Sequence, residues 1–239
     1  MDLTGQVALI TGGSRGLGRA FAQALLAVGA RVAITGRTAP ELHETAAQLS
    51  STANQVLAIP ADTTDPQGAP QVVTTVEQRL GPITVLINNA GQFRAFGPIG
   101  VIDPIAWWNE VEVNLRGPFL YANAVLPGMR TRHKGRIINV ASMAGMQAIP
   151  IMSAYVVSKT ALIRFSEALA LDTVEDGIRV FAIHPGVMLR GCSSGTKPCT
   201  LKDSIRLSNA PCTWCCDSPP ATPIRSLAAT SVWRMTSTH

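Results

Sequence analysis

A chain of 239 residues that is 46% hydrophobic, with a mean hydropathy of +0.22, is long enough to bury one sizeable core. No apolar run reaches the ~18 residues of a membrane span, and Met1-Asp2-Leu3-Thr4 has no basic stretch ahead of an apolar one, so a cytoplasmic protein is expected. The net charge of +5 divides as 15 Lys/Arg against 13 Asp/Glu in residues 1–190 and 5 against 2 in 191–239; its one dense cluster, Arg130 to Arg136, suits a solvated helix end, so no nucleic-acid partner is expected.

Short β-branched runs alternate with longer helical patterns through the first 185 residues. Strands are predicted at 7–11, 31–35, 55–59, 84–88, 136–140 and 178–183. Between them lie helices at 17–28, closed by Gly29, at 40–49 after Pro40, and at 70–80, stopped by Gly81-Pro82. One long helix is predicted from Pro104 to about Arg130, and another over 152–174. Six strand–helix units in succession predict an α/β fold of Rossmann-like, doubly wound type, a parallel sheet covered on both faces. Ligands are then expected at the carboxyl ends of the strands. Neither a linker nor a repeat interrupts residues 1–188, which form one domain; 189–239 is a separate, anomalous tail.

Thr11-Gly12-Gly13-Ser14-Arg15-Gly16-Leu17-Gly18 stands between the first strand and its helix. Gly12 permits a tight turn, Gly16 lets a pyrophosphate approach the backbone, and Gly18 allows close helix–strand packing, with the helix N–H groups aimed at phosphate. The second strand ends in Thr35-Gly36-Arg37, without the acid that would bind a free ribose 2′-hydroxyl. Arg37 and Arg15 instead favour a 2′-phosphate, so NADP is expected over NAD.

Tyr155-Val-Val-Ser-Lys159 puts a phenol and an ammonium on one helix face. The cation is expected to lower the phenol pKa and make it a general acid/base near neutrality. Ser142, thirteen residues earlier at the end of the fifth strand, is placed to donate to a substrate oxygen that gains charge as hydride arrives.

Across about residues 4–188 the chain resembles the short-chain dehydrogenase/reductases. The residues that carry the resemblance are Thr11 to Gly18, Asp62, Asn88-Asn89-Ala90-Gly91, Asn114, Ser142, Tyr155 with Lys159, and Pro185-Gly186. The resemblance implies a carbonyl/secondary-alcohol oxidoreductase acting on a small molecule, as a homotetramer or dimer built through its long helices. By position, Asp62 would contact the adenine and Asn89 to Gly91 would line the cofactor cleft. Asn114 would kink the long helix and hold a water that relays protons to Lys159. Lys159 would bind the nicotinamide ribose, and Pro185-Gly186 would border the nicotinamide. His184 is expected to pack at a strand end, Trp107-Trp108 to anchor the long helix in the core or an interface, and Phe93, Phe96 and Met146 to overlie the cleft.

Beyond Leu189 no apolar period of 2 or 3.6 continues, and all five cysteines (Cys192, Cys199, Cys212, Cys215, Cys216) fall in this stretch. The family's seventh strand and substrate-covering segment have no counterpart there. A disordered tail, a zinc site using Cys212 and Cys215, and a disulfide framework are alternatives. The favoured reading is a tail translated out of frame. Taking the third base of each codon with the next two, Trp214-Cys215-Cys216-Asp217 becomes Val-Leu followed by Arg or a stop, the beginning of an amphipathic pattern. Weak stability and poor or absent turnover are then expected.

Overall fold

The computed structural model describes residues 2–49 and 55–186. Six strands form one parallel sheet: β1 (Val7–Ile10), β2 (Arg31–Gly36), β3 (Val56–Pro60), β4 (Val85–Asn88), β5 (Gly135–Val140) and β6 (Ile178–Ile183). Their order in space is β3-β2-β1-β4-β5-β6. The order reverses between β1 and β4, which opens a crevice at the carboxyl ends of these two strands.

Both faces are buried, which is why the strands are nearly continuous hydrophobic runs. Val7 and Leu9 of β1 point into a core with helices α3 (Gly68–Leu80) and α5 (Gly117–Thr131), through Val72, Val76, Tyr121, Val125 and Met129. Ala8 and Ile10 point the other way, into a core with α1 (Gly16–Leu26) and α2 (Ala39–Leu49), through Ala22 and Leu42. The period-2 alternation of side chains makes one strand serve two cores.

The long helix expected over 104–130 is not one α-helix. Asp103 caps α4 (Pro104–Val111), its Oδ1 accepting from the Ile105 N–H at 3.0 Å and its Oδ2 from the Ala106 N–H at 3.2 Å. A π-turn over Glu112–Arg116 follows, and α5 resumes at Gly117. The π-turn inserts one residue and re-phases the helix, and Pro118 just behind it has no N–H to return to the Asn114 carbonyl. The last helix, α6 (Ser153–Thr173), runs behind β5 and β6 and carries Tyr155 and Lys159. Every expectation placed on residues 189–239, the cysteines included, lies outside the described residues.

Candidate active site

The glycine turn is built by exclusion. Gly12 has φ +66°, and a Cβ there would lie 2.9 Å from the Ala90 Cα. A Cβ on Gly18 would overlap the Gly12 carbonyl and the Asn89 amide. The turn can therefore pass directly under α1 and beside the end of β4 only with glycine at both places. Thr11 and Asn89 fasten the two turns together. The Thr11 hydroxyl accepts from the N–H groups of Asn89 and Ala90 at 3.1 and 3.0 Å, and the Asn89 amide donates to the carbonyls of Thr11 and Gly12 at 3.0 Å each. Both residues were expected to line the cofactor cleft; their polar groups hold its floor together. No side chain caps α1 at Arg15, so the first-turn N–H groups from Gly16 and Leu17 onward face outward for an anion. This concavity fits the pyrophosphate of a dinucleotide.

Ser14 and Arg37 lie on the far side of the turn. The Thr45 hydroxyl donates to the Ser14 carbonyl at 2.6 Å, and Arg37 is exposed just past β2. At the end of β3, burial works to raise the Asp62 carboxyl, but the Thr64 N–H and hydroxyl, at 2.9 and 2.8 Å, and the nearby Arg37 charge more than offset it. Asp62 therefore stays ionised below the ordinary carboxylate range, next to Arg37. Arg37 and Asp62 thus stand together beyond the carboxyl ends of β2 and β3.

Ser142, Tyr155 and Lys159 converge at the carboxyl end of β5. The Ser142 oxygen accepts from the Ala144 N–H at 3.2 Å, which leaves the hydroxyl proton free to donate elsewhere. The Lys159 ammonium donates to the Val140 carbonyl at 2.8 Å and stands 5.7 Å from the centre of the Tyr155 ring. Burial pushes Lys159 down to about 8, with the Glu110 carboxylate pulling the other way. Burial raises the Tyr155 phenol above its ordinary 10, Ser142 draws it back in part, and Glu110 adds to the rise. The expected lowering of this phenol by Lys159 is therefore overturned: desolvation dominates, and the ammonium is directed to Val140.

Asn114 is fully buried in the π-turn. Its Oδ1 accepts from the Gln92 N–H at 2.7 Å, and its Nδ2 donates to the Gln92 carbonyl at 2.9 Å and the Ser158 hydroxyl at 3.0 Å. Ser158 donates in turn to the Tyr155 carbonyl at 2.8 Å. The side-chain amide thus ties the loop after Gly91 to the turn of α6 that bears Tyr155. Pro118, four residues on, has no N–H to offer the Asn114 main-chain carbonyl.

Other expectations fare unevenly. Phe93 packs on Tyr155, with ring centroids 4.5 Å apart, whereas Phe96 and Met146 are exposed at the rim. His184 is exposed just beyond the end of β6. Trp107 is held by its Nε1, which donates to the Ser153 hydroxyl at 3.0 Å, but Trp108 is 61% exposed and outside the core. Trp108 instead lines an apolar groove of about 590 Å³ on the outer side of α4, α5 and α6, with Leu115, Phe119, Ala161 and Phe165. Neither Tyr155 nor Ser142 lines that groove. Pro185 and Gly186 close the described chain, Gly186 with φ +82°. Sequence reasoning passed over Glu110 and Ser158; Glu110 stands four residues before Asn114, the spacing of one helix face, which was the available signal.

Comparison with known proteins agrees with this geometry. The family model for short chain dehydrogenase matches residues 6–196. A short chain dehydrogenase of Pseudocercospora fijiensis is 37% identical over 188 residues, 77% of this chain and 60% of that protein, so the match spans three fifths of the relative's length. Among solved structures, an NAD+-bound xylitol dehydrogenase superposes with a TM-score of 0.77 at 33% identity, covering 80% of this chain and 74% of the other. A metagenomic short-chain oxidoreductase in complex with NADP superposes with a TM-score of 0.73 at 32% identity, covering 78% and 84%. Strand order, glycine turn and the Ser142–Tyr155–Lys159 grouping all fall inside the matched stretch, and the chain belongs to the short chain dehydrogenase family.

Proposed function

We propose that the protein is an NADP-dependent oxidoreductase that interconverts a carbonyl and a secondary alcohol of a small molecule. The observation that carries this reading is the meeting of Ser142, Tyr155 and Lys159 at one end of a crevice whose other end is the glycine turn. Bound nicotinamide would supply or accept the hydride. Ser142 donates its free proton to the substrate oxygen, where negative charge grows in the transition state. Tyr155 holds its proton at neutral pH, because its pKa is raised, and so stands ready as the acid for carbonyl reduction. Lys159 carries the positive charge nearest the phenol, and the Asn114 carbonyl offers the place for a relaying water. Pro185-Gly186 borders the nicotinamide end, and Gly12 to Gly18, with Ala90 and Gly91, accommodate the pyrophosphate and ribose.

Arg37 and Arg15 support NADP over NAD, since both are exposed, one just past β2 and one in the glycine turn, and no acid ends β2. The test is a titration of both reduced cofactors followed by an assay with a panel of ketones. Replacing Arg37 with Asp is expected to reverse the preference, lowering affinity for NADPH at least about tenfold. Replacing Tyr155 with Phe is expected to lower the rate ~10²–10⁴-fold while the cofactor still binds.

A second reading is favoured by one observation: β6 pairs only with β5 among the described residues, and its Phe181 is half exposed. We read the domain as residues 1–188 and the stretch 189–239 as translated out of frame, and from that we expect slow turnover. The coding DNA across codons 185–239 decides it; stop codons throughout the alternative frame would end the idea. The Trp108–Phe165 groove is where we place the contact with a second copy of the chain, through the exposed faces of α4, α5 and α6. Light scattering that gives only monomer, at concentrations where the fold is intact, would remove that assembly.

A further inference from the structure

One buried charge has no part in the chemistry above. Glu110 of α4 is fully buried, and no ion pair among the described residues includes it. A carboxylate in that position is costly unless its lone pairs are satisfied. Its Oε2 accepts from two consecutive backbone N–H groups, Arg94 at 2.5 Å and Ala95 at 2.8 Å, while its Oε1 has no partner. The segment it holds has no regular secondary structure, and Arg94 itself is exposed.

That segment is tied at three points. Gln92 is held by Asn114, Arg94 and Ala95 by Glu110, and the Gly97 N–H donates to the Ile151 carbonyl at 2.9 Å. Phe93 lies between the first two ties. Its ring meets the Tyr155 ring at a centroid distance of 4.5 Å and an interplanar angle of 52°, and it also meets the Phe96 ring at 4.5 Å. The helix that supplies Glu110 leads directly into the π-turn that supplies Asn114, so both ties come from one continuous stretch of helical chain.

We propose that Glu110 is a positioning residue for the substrate side of the site: its buried carboxylate pins the backbone at Arg94 and Ala95 and thereby holds Phe93 against the Tyr155 ring. The unpaired Oε1 fits this role, because a pin needs only one oxygen and the second is the cost of using an acid. Charge-assisted acceptance by one oxygen from two N–H groups is stronger than a neutral acceptor would give. The same placement makes Glu110 the carboxylate that acts on both Tyr155 and Lys159. The wall that results beside the phenol is aromatic, formed by Phe93 and backed by Phe96. The role of this wall rests on the enzymatic reading, but the pin is read from backbone protection and not from turnover, so failure of one is distinguishable from failure of the other.

The experiment is limited trypsin digestion of the full chain, since trypsin cuts the Arg94–Ala95 bond whose N–H Glu110 holds. Cleavage there is compared by mass spectrometry with cleavage after Lys134. Glu110→Ala is expected to speed the Arg94 cut at least about tenfold relative to the Lys134 cut. Glu110→Gln, whose amide oxygen can still accept from both N–H groups, is expected to restore protection to within about threefold of wild type. Equal acceleration at both sites, or none at Arg94, overturns the pin. Hydrogen exchange on the unaltered chain gives a reading that needs no variant to fold. The Arg94 and Ala95 amides are expected to be protected at least about tenfold beyond those of Ile99 and Gly100, and free exchange at both overturns the proposal.

Discussion

Lys159 shows what burial does to a single group. Its ammonium is desolvated and held near 8, well below the 10.5 of an exposed lysine. Between these values the unfolded chain carries a proton that the folded chain does not, so this residue's contribution to stability rises with pH across that window; below about 8 both states are protonated and the burial penalty is felt in full. Denaturant unfolding of wild type and Lys159→Met, compared at a series of pH values, is expected to show the wild type gaining on the variant as pH passes from about 8 to 10.5, by on the order of 1–3 kcal/mol. A difference independent of pH would contradict the buried cation. Tyr155 moves for the same reason in the opposite sense, because its charged form is the anion. Absorbance titration of the phenols is expected to put Tyr155 above its ordinary 10 and to show Tyr121 pushed up by burial to about 12. In Glu110→Gln the Tyr155 midpoint is expected to fall, since a neighbouring negative charge has been removed, while Tyr121, influenced by Asp62 and Asp65, stays in place.

At the scale of elements, the sheet is locked by a buried polar ladder. The Asn88 amide on β4 donates to the Asn139 side-chain oxygen on β5 at 2.8 Å, and Asn139 donates to the Ser166 hydroxyl on α6 at 2.8 Å. Asn139→Leu would leave Asn88 with only the Pro118 carbonyl at 3.3 Å, and urea unfolding is expected to register a loss of about 1–3 kcal/mol. Gly18→Ala would drive a methyl into the Gly12 carbonyl, so cofactor titration is expected to show at least a tenfold loss of affinity. The strands were legible because buried parallel strands announce themselves as β-branched runs, and each of the six falls within a residue or two of its expected bounds. The π-turn was not legible from periodicity: one inserted residue barely disturbs a 3.6-residue pattern, and only the resemblance suggested a kink at Asn114. The glycine turn and Ser142, Tyr155 and Lys159 could be placed from spacing because each sits at a strand end or on one helix face. For Glu110 the spacing of four from Asn114 was the one hint, and it does not give the role, because the partners are backbone N–H groups of a loop, which leave no mark on residue type. The error over the Tyr155 pKa has the same origin, since sequence shows the neighbouring lysine but not the burial.

For the whole molecule, the described residues supply a doubly wound sheet, a crevice at the β1/β4 reversal, and Ser142, Tyr155 and Lys159 near the carboxyl end of β5. Among these residues no helix is long and apolar enough to cross a membrane. Among the described residues β6 is the last strand of the sheet. The most direct test of the central claim is a single-turnover measurement: the purified full chain in excess over NADPH, with ketone added and nicotinamide absorbance followed. The account predicts ketone-dependent oxidation of bound NADPH in the wild type and a rate ~10²–10⁴-fold lower in Tyr155→Phe. Oxidation that is indifferent to Tyr155, or NADPH that binds and is never oxidised by any ketone of the panel, would contradict it.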